Sequence, residues 1–212
     1  MKVTYPPTLT GIFESIRKAG GRALIVGGFV RDLLLGIDSL DYDVEVYGLD
    51  VESLQDLLSK SCEVILVGKA FGVLKVKDLD TDFSLPRKDS KVGKGHRGIS
   101  VETDPDLSFP DAARRRDFTI NSMGLDPLTG EILDPFEGRK DLEDRVLRVT
   151  DSITFPEDPL RPLRAVQFLS RFDLTPDETL TSLTKSMVSR GELQELAGER
   201  VFDEFSKLLL RG

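Results

Sequence analysis

The sequence predicts an α/β (α+β) domain, a mixed sheet of about five strands with helices packed on it, followed by an all-α segment. Three observations carry this. Apolar or alternating runs of strand length recur at 23–26, 41–46, 63–67, 72–78 and 80–85. Stretches with apolar residues at helical spacing lie between the earlier runs, so helices and strands interleave. Beyond Thr150 the strand pattern stops, and 159–172, 176–188 and 198–210 read as helices. A domain boundary is therefore expected near Asp151, dividing residues 1–150 from 151–212.

Taken in order, a coil ends at Pro6 and Pro7, and Thr8 is placed to cap a helix carrying Ile12, Phe13, Ile16 and Ala19 on one face until Gly20 and Gly21 stop it. This helix is expected to cover one face of the sheet. The run ALIV is a short strand, and after Gly27 and Gly28 the pattern Phe29, Val30, Leu33, Leu34 is helical until Gly36. A second strand opens on Asp41 and Asp43. Residues 51–61 read as a helix and 63–67 as a strand, and GVLKVKD and DTDFSL alternate as hairpin strands. From Pro86 to Pro110 the chain turns polar, with three glycines and six basic residues counting His96, which reads as one long functional or disordered connection. Helical character resumes over 112–123, LDPLTGEILDPF reads as a hairpin turned at Leu128–Gly130, and GRKDLEDRVLRVT as a short helix and a last strand.

Composition narrows the class. At 212 residues the chain can bury a full core. Its net charge of -8 argues against a surface that grips nucleic acid everywhere, so any polynucleotide partner must be recognised at a local site. The single cysteine, Cys62, permits no intramolecular disulfide, and with one histidine there is no Cys/His cluster for structural zinc. No apolar run approaches the roughly eighteen residues that span a bilayer, so no membrane is expected and the chain reads as soluble and cytoplasmic.

Chemistry concentrates in 23–46. The Gly27–Gly28 turn before a helix presents backbone N–H groups and a positive helix end, a seat for a phosphate, though glycines also serve any tight strand-to-helix turn. Asp41 and Asp43, one residue apart on a strand, point to the same face and converge as a cation site, though Asp-x-Asp also occurs at solvated strand ends. A third carboxylate is available from Asp82, with Asp80 as a competing turn residue on the same face. Three acidic groups around two magnesium ions would lower the pKa of an attacking hydroxyl and neutralise a triphosphate, which points to nucleotidyl transfer.

The motifs GGFVRD with DYD downstream, RRDFTIN, DPFEGRKDL, EDPLR and GERVFDEFSKLL occur in the order found in class II tRNA nucleotidyltransferases and bacterial poly(A) polymerases of the DNA polymerase beta superfamily. The chain resembles that family from about Ala23 to Leu210. The resemblance implies a nucleotidyltransferase head over 1–150 and a helical neck over 151–212. It implies that Gly27, Gly28, Arg31 and Asp32 hold the triphosphate and that Asp41 and Asp43 bind the metals. It further implies that Arg115, Arg116, Asp117 and Asn121 read ribose and phosphates, joined by Asp158, Arg161 and Arg164 in binding the nucleotide. A carboxylate can accept from a ribose hydroxyl, and arginines clamp phosphate oxygens with paired N–H groups. Arg114 fits a solvated helix face instead.

Asp158 and Arg161 lie three apart on a predicted helix, an acceptor beside a donor, with Glu157 placed to orient the arginine. Cytosine and adenine show an amino donor beside a ring-nitrogen acceptor, whereas uracil and guanine show a carbonyl beside N–H, so this edge accepts C and A. The expected activity is addition of CMP and AMP from CTP and ATP to the 3′ acceptor end of tRNA. The alternatives are poly(A) polymerase, a CC-only or A-only enzyme, and, in another class, a small-molecule nucleotidyltransferase. Lys69 followed by Ala70 departs from the paired basic residues typical of poly(A) polymerases and favours the tRNA enzyme. Asp134, Gly138 and Asp141 resemble a motif of head–neck flexing, though ordinary turn usage explains them equally, and Glu199, Arg200 and Glu204 are expected to stabilise the neck by charge pairs. His96 has no expected role as a base, and its loop occupies the position of a family element involved in the switch from C to A addition. Family members continue beyond the last motif, so the chain reads as an excised core or a naturally short enzyme.

Overall fold

β1 (Arg22–Val26) lies inside a seven-stranded sheet, paired antiparallel on one side with β2 (Tyr42–Tyr47). The computed structural model describes residues 3–67, 73–77, 79, 81–91 and 99–211. Further along come β3 (Val64–Val67), β4 (Val73–Val76) and β5 (Thr81–Ser84), then β6 (Arg87–Lys91) and β7 (Ile99–Thr103), which form a two-stranded ladder of their own. β8 (Gly124–Leu125) and β9 (Ile132–Leu133) complete the large sheet, whose order is β3-β4-β5-β2-β1-β8-β9. Two strands beyond the five expected come from the hairpin, which docks on β1 through the pairs Ile25–Leu125 and Val26–Gly124. Its turn forms as read: Asp126 Oδ1 accepts from the N–H groups of Leu128 and Thr129, and Gly130 supplies a φ of 75°.

Contacts divide the chain into two compact units. The first comprises Met1–Lys88, Val101–Ala113 and Met123–Pro135, and the second Asp89–Ser100, Arg114–Ser122 and Phe136–Gly212. The first holds the sheet, with α1 (Pro7–Lys18), α2 (Gly28–Leu34) and α3 (Val51–Ser59). Leu9, Ile12, Phe13 and Ile16 of α1 are fully buried and pack toward β1 and α3, the cover expected of the first helix. α1 starts at Pro7 with Pro6 at its cap and no side-chain cap bond, so Thr8 lies inside the helix: proline at the first helical position needs no N–H partner. In α3, Asp50 Oδ1 caps by accepting from Ser53 N at 2.7 Å.

Three other expectations are corrected. The polar stretch 86–110 is not one loop, because β6 and β7 flank residues outside the description, which include His96. Helical character over 112–123 is broken: α4 (Phe109–Arg114) ends before the arginine motif, and only a 3-10 turn forms at Thr119–Asn121. Strand structure also continues past Thr150. After α5 (Gly138–Glu143), β10 (Val146–Leu147) pairs in parallel with β11 (Thr175–Pro176), an exposed strand too short to show a period. The three final helices are found as α6 (Arg161–Phe172), α7 (Glu178–Ser189) and α8 (Gly198–Arg211), with Phe118, Phe155, Phe168 and Phe172 forming a stacked aromatic core in the second unit. Asp134 and Gly138 fall at the end of the hairpin and the start of α5.

A Cβ built on Gly124 would lie 2.7 Å from Phe109 Cζ. Gly124→Ala is therefore expected to cost about 1–3 kcal/mol of stability by overpacking. Urea unfolding checks this, and an unchanged midpoint would contradict the close contact.

Candidate active site

Alternation along β2 sends Tyr42, Val44 and Val46 to the helix-covered face, where Tyr42 meets Tyr5 and Phe29, and Asp43 to the other. β2 pairs in parallel with β5, and β5 antiparallel with β4, so Val44, Phe83 and Leu74 align across three strands. One residue away, Asp43, Asp82 and Lys75 align on the opposite face. Asp41, immediately before β2, and Asp43 are both exposed. Asp82 is turned toward the sheet neighbour that sequence reasoning missed: Lys75 Nζ lies 2.9 Å from its Oδ2. The bond to Asp82, with smaller contributions from Asp41 and Asp43, raises the ammonium's pKa.

Among the described residues no three His, Cys, Asp or Glu side chains form a ready-made cation cage. A hard cation can be held by one or two carboxylates, with substrate phosphates and water completing its coordination. Asp41 and Asp43 suit it; Asp82, expected as a third acidic group, is engaged with Lys75. Asp80 and the Lys69–Ala70 pair lie outside the described residues.

At the glycine turn, Gly27 has a φ of 75° and gives its N–H to Met123 O at 3.3 Å. The donors this turn offers a phosphate are thus the first N–H groups of α2, which have no intrahelical acceptors. Arg31 and Asp32 were expected on the triphosphate. They are buried, 4 % and 7 % exposed, and Arg31 donates from Nε and Nη2 to Asp32 Oδ1 at 2.8 and 2.7 Å. Arg31 Nη2 lies 3.4 Å from where a Cβ on Gly28 would sit, so this ion pair backs the turn.

The second unit holds Arg115, Arg116, Asp117, Asn121, Asp158, Arg161 and Arg164, the residues expected to bind the nucleotide. Asp117 Oδ1 accepts from Phe118 N (2.8 Å) and Asn121 Nδ2 (3.0 Å), and Oδ2 from Arg164 Nε and Nη2 (2.8 and 2.7 Å). Burial raises the Asp117 pKa, but the charge of Arg164 and the bonds from Asn121 and Arg164 outweigh it and hold the carboxyl below its ordinary value. Four donors fill a carboxylate's acceptor positions, so Asp117 orders the site around it. Arg115 and Arg116 are half-buried in the irregular segment after α4. Arg114 is half-exposed and pairs with Asp151 at 3.2 Å, in keeping with a surface role.

Asp158 is not on a helix. It is extended, at φ -115° and ψ 108°, and its Oδ1 accepts from Leu160 N. Arg161, the first residue of α6, does not lie against it on a helical face: its guanidinium donates to the backbone carbonyls of Thr154 and Arg115. Burial lowers the Arg161 pKa against the raising influence of Asp117, Asp158 and Glu157. The partner of Asp158 is Arg200 of α8, whose Nη2 lies 3.3 and 3.1 Å from the two carboxylate oxygens. Arg164 also faces Glu204 at 3.7 Å, and Lys207 binds Glu204 at 2.7 Å, so the last motif forms charge pairs as expected. What sequence reasoning missed is that Arg200 reaches the Asp158 carboxylate; its place in the motif was the only signal.

A carboxylate row beside a glycine turn, on a mixed sheet, is the arrangement expected of a nucleotidyltransferase head. Residues 23–148 match the family described as "Poly A polymerase head domain", and the chain belongs to that family. It is 39% identical over 190 residues to the "Multifunctional CCA protein" of Xanthomonas campestris pv. campestris (strain B100), covering 87% of this chain and 44% of the relative. It is 40% identical over 193 residues to the protein of that name from Xylella fastidiosa (strain M23), covering 89% and 44%. The fold is similar to that of the Thermotoga maritima CCA-adding enzyme complexed with tRNA (TM-score 0.79, 30% identity, 98% of this chain and 48% of that one). It is similar also to the Bacillus stearothermophilus CCA-adding enzyme in complex with CTP (TM-score 0.79, 29% identity, 97% and 49%). The chain thus spans less than half the length of these relatives.

The lowered pKa of Asp117 has a stability consequence. A depressed native pKa stabilises the fold above the unfolded value of 3.8, and that stabilisation is lost as pH falls through the native value. Asp117→Asn should cost about 1.5–3 kcal/mol at neutral pH and flatten the pH dependence below about pH 4. Urea midpoints measured from pH 7 to pH 2.5 test it, and parallel curves for the two proteins would refute the assignment.

Proposed function

We propose that this chain carries the catalytic portion of a template-independent RNA nucleotidyltransferase that adds CMP and AMP from CTP and ATP to the 3′ end of tRNA. The carrying observation is the register that sets Asp43 and Asp82 in one row beside the turn between β1 and α2, in a chain that also carries the EDPLR residues Asp158 and Arg161. The names of the relatives and the tRNA and CTP of the similar structures support this reading. We assign catalysis to residues 1–150 and base recognition to 151–212, with the 115–121 segment joined by packing to the latter. With tRNA as acceptor, the reaction belongs to the cytoplasm.

In this reading the terminal RNA hydroxyl oxygen bonds to the α-phosphorus and gives up its proton to water while the α–β P–O bond breaks and pyrophosphate leaves. Asp41 and Asp43 would hold two magnesium ions, which supply Lewis-acid neutralisation of the triphosphate and a lowered pKa for the attacking hydroxyl. The first N–H groups of α2 receive phosphate oxygens, backed by Arg31 and Asp32. Asp158 Oδ2 takes one Arg200 donor and keeps an acceptor position for an exocyclic amino group. Two backbone carbonyls fix Arg161, which retains donors for the ring nitrogen. Arg200 positions the Asp158 carboxylate and does not itself read the base.

Incubation with magnesium, a tRNA transcript ending at the discriminator base, and CTP or ATP separately and together tests the proposal. Ordered addition of C, C and A is expected. A-only tailing of arbitrary RNA would show a poly(A) polymerase, C-only or A-only addition to suitable tRNA ends a partial enzyme, and no transfer to any RNA would defeat the proposal. Asp158→Ala should lower discrimination of CTP over UTP by about 10–100-fold, the value of a charged hydrogen bond, with cation binding retained. Arg200→Ala should lower the same ratio by less, with partial rescue in Arg200→Lys. An equal fall for all four nucleotides would reduce Arg200 to a structural support.

A further inference from the structure

Lys75 is used by neither the nucleotide-reading set nor the core. The register Asp43–Asp82–Lys75 across three adjacent strands sets its ammonium at the end of the carboxylate row, 2.9 Å from Asp82 Oδ2. Side-chain exposures of 53% and 35% leave the pair open to solvent and to ions. Its ion-pair partner is Asp82, and the strand register sets Asp43 next along the same row. A lysine so placed carries a full charge at neutral pH.

We infer that Lys75 is a built-in counter-cation of the carboxylate row, which holds Asp82 and competes with divalent ions there, so that the protein alone binds metal weakly. This rests on the reading of Asp41 and Asp43 as the cation site. An entering ion meets a fixed positive charge beside its ligands, and Asp82 reaches it only by releasing Lys75. A surface ion pair is weak enough to exchange in this way. Substrate triphosphate, bringing its own negative charge, shifts the balance toward the metal. Lys75 is thus a positioning residue: it sets where the Asp82 carboxylate lies and how strongly the row attracts cations before nucleotide arrives.

The test is Mn2+ titration of the full chain without nucleotide, free ion being counted by electron paramagnetic resonance, with thermal melts to confirm folding. Lys75→Gln should bind Mn2+ roughly 3–10-fold tighter than wild type, as expected for removing a unit charge near a half-solvated site. Lys75→Arg, which keeps the charge and serves as the folding control, should stay close to wild type. Asp43→Asn should lose most binding. If Asp43→Asn loses it but Lys75→Gln binds no tighter, the role of Lys75 is overturned while the cation site stands. If Asp43→Asn binds as wild type does, the cation reading falls, and the Lys75 proposal with it.

Discussion

Because β2 and β5 run parallel and in register, one arrangement of two strands produces both a core and a site. Val44 and Phe83, fully buried, meet on the helix-covered face, while Asp43 and Asp82 meet on the other. A slip of one residue would turn the carboxylates into the core and expose the phenylalanine, so burying Phe83, worth roughly 1.5–3 kcal/mol, also enforces where the carboxylates stand. Parallel neighbours need a crossover, and the chain supplies it with α3, β3 and β4. β4 returns antiparallel beside β5 and brings Lys75 to Asp82. The chemistry of the row therefore follows from strand register, and no flexible loop has to place it.

The second unit is ordered by a charge. Asp117 is 8 % exposed, and a buried carboxylate persists only when its acceptor positions are filled. They are filled from three places: the next backbone N–H, Asn121 in the 3-10 turn, and Arg164 in α6. Arg164 passes the constraint to α8 through Glu204, itself 3 % exposed. α8 is thus tied to the rest of the unit twice, by Glu204 to Arg164 and by Arg200 to Asp158. The last helix therefore fixes the geometry of a carboxylate more than forty residues away in sequence.

Much of this was legible in the chain. Periodicity located the longer sheet strands and the three final helices, including α8, whose Phe202, Phe205, Leu209 and Leu210 are exposed. The row of Asp41, Asp43 and Asp82 was legible because strand alternation is strict. What failed did so for physical reasons. β6 escaped because RKDSK has no apolar period, and β7 because the alternation in ISVET holds only two apolar residues inside a polar stretch. Two-residue strands such as β10 and β11 are shorter than any period. Asp158 was misplaced on a helix although the sign was present: it precedes Pro159, and the residue before a proline is driven out of the helical region. Thr8 was misread likewise, Pro7 having already fixed the first helical turn. The pairs Lys75–Asp82 and Arg200–Asp158 depend on registers that residue patterns alone do not supply.

The arrangement also explains why transfer chemistry and base choice can be separated in such a chain. Phosphoryl transfer makes the same demands whatever base is carried, and its residues are held by sheet register. Base choice as proposed rests on Asp158 and Arg161, held by a different device, the guanidinium–carboxylate and backbone bonds of α6 and α8. Changing the second leaves the first intact, so relatives can share a carboxylate row and differ in nucleotide. With Asp82 engaged by a lysine, a cation held as proposed completes its coordination with water and triphosphate oxygens. Metal and nucleotide then bind most strongly together, and the site gathers its full positive charge only when there is a triphosphate to neutralise.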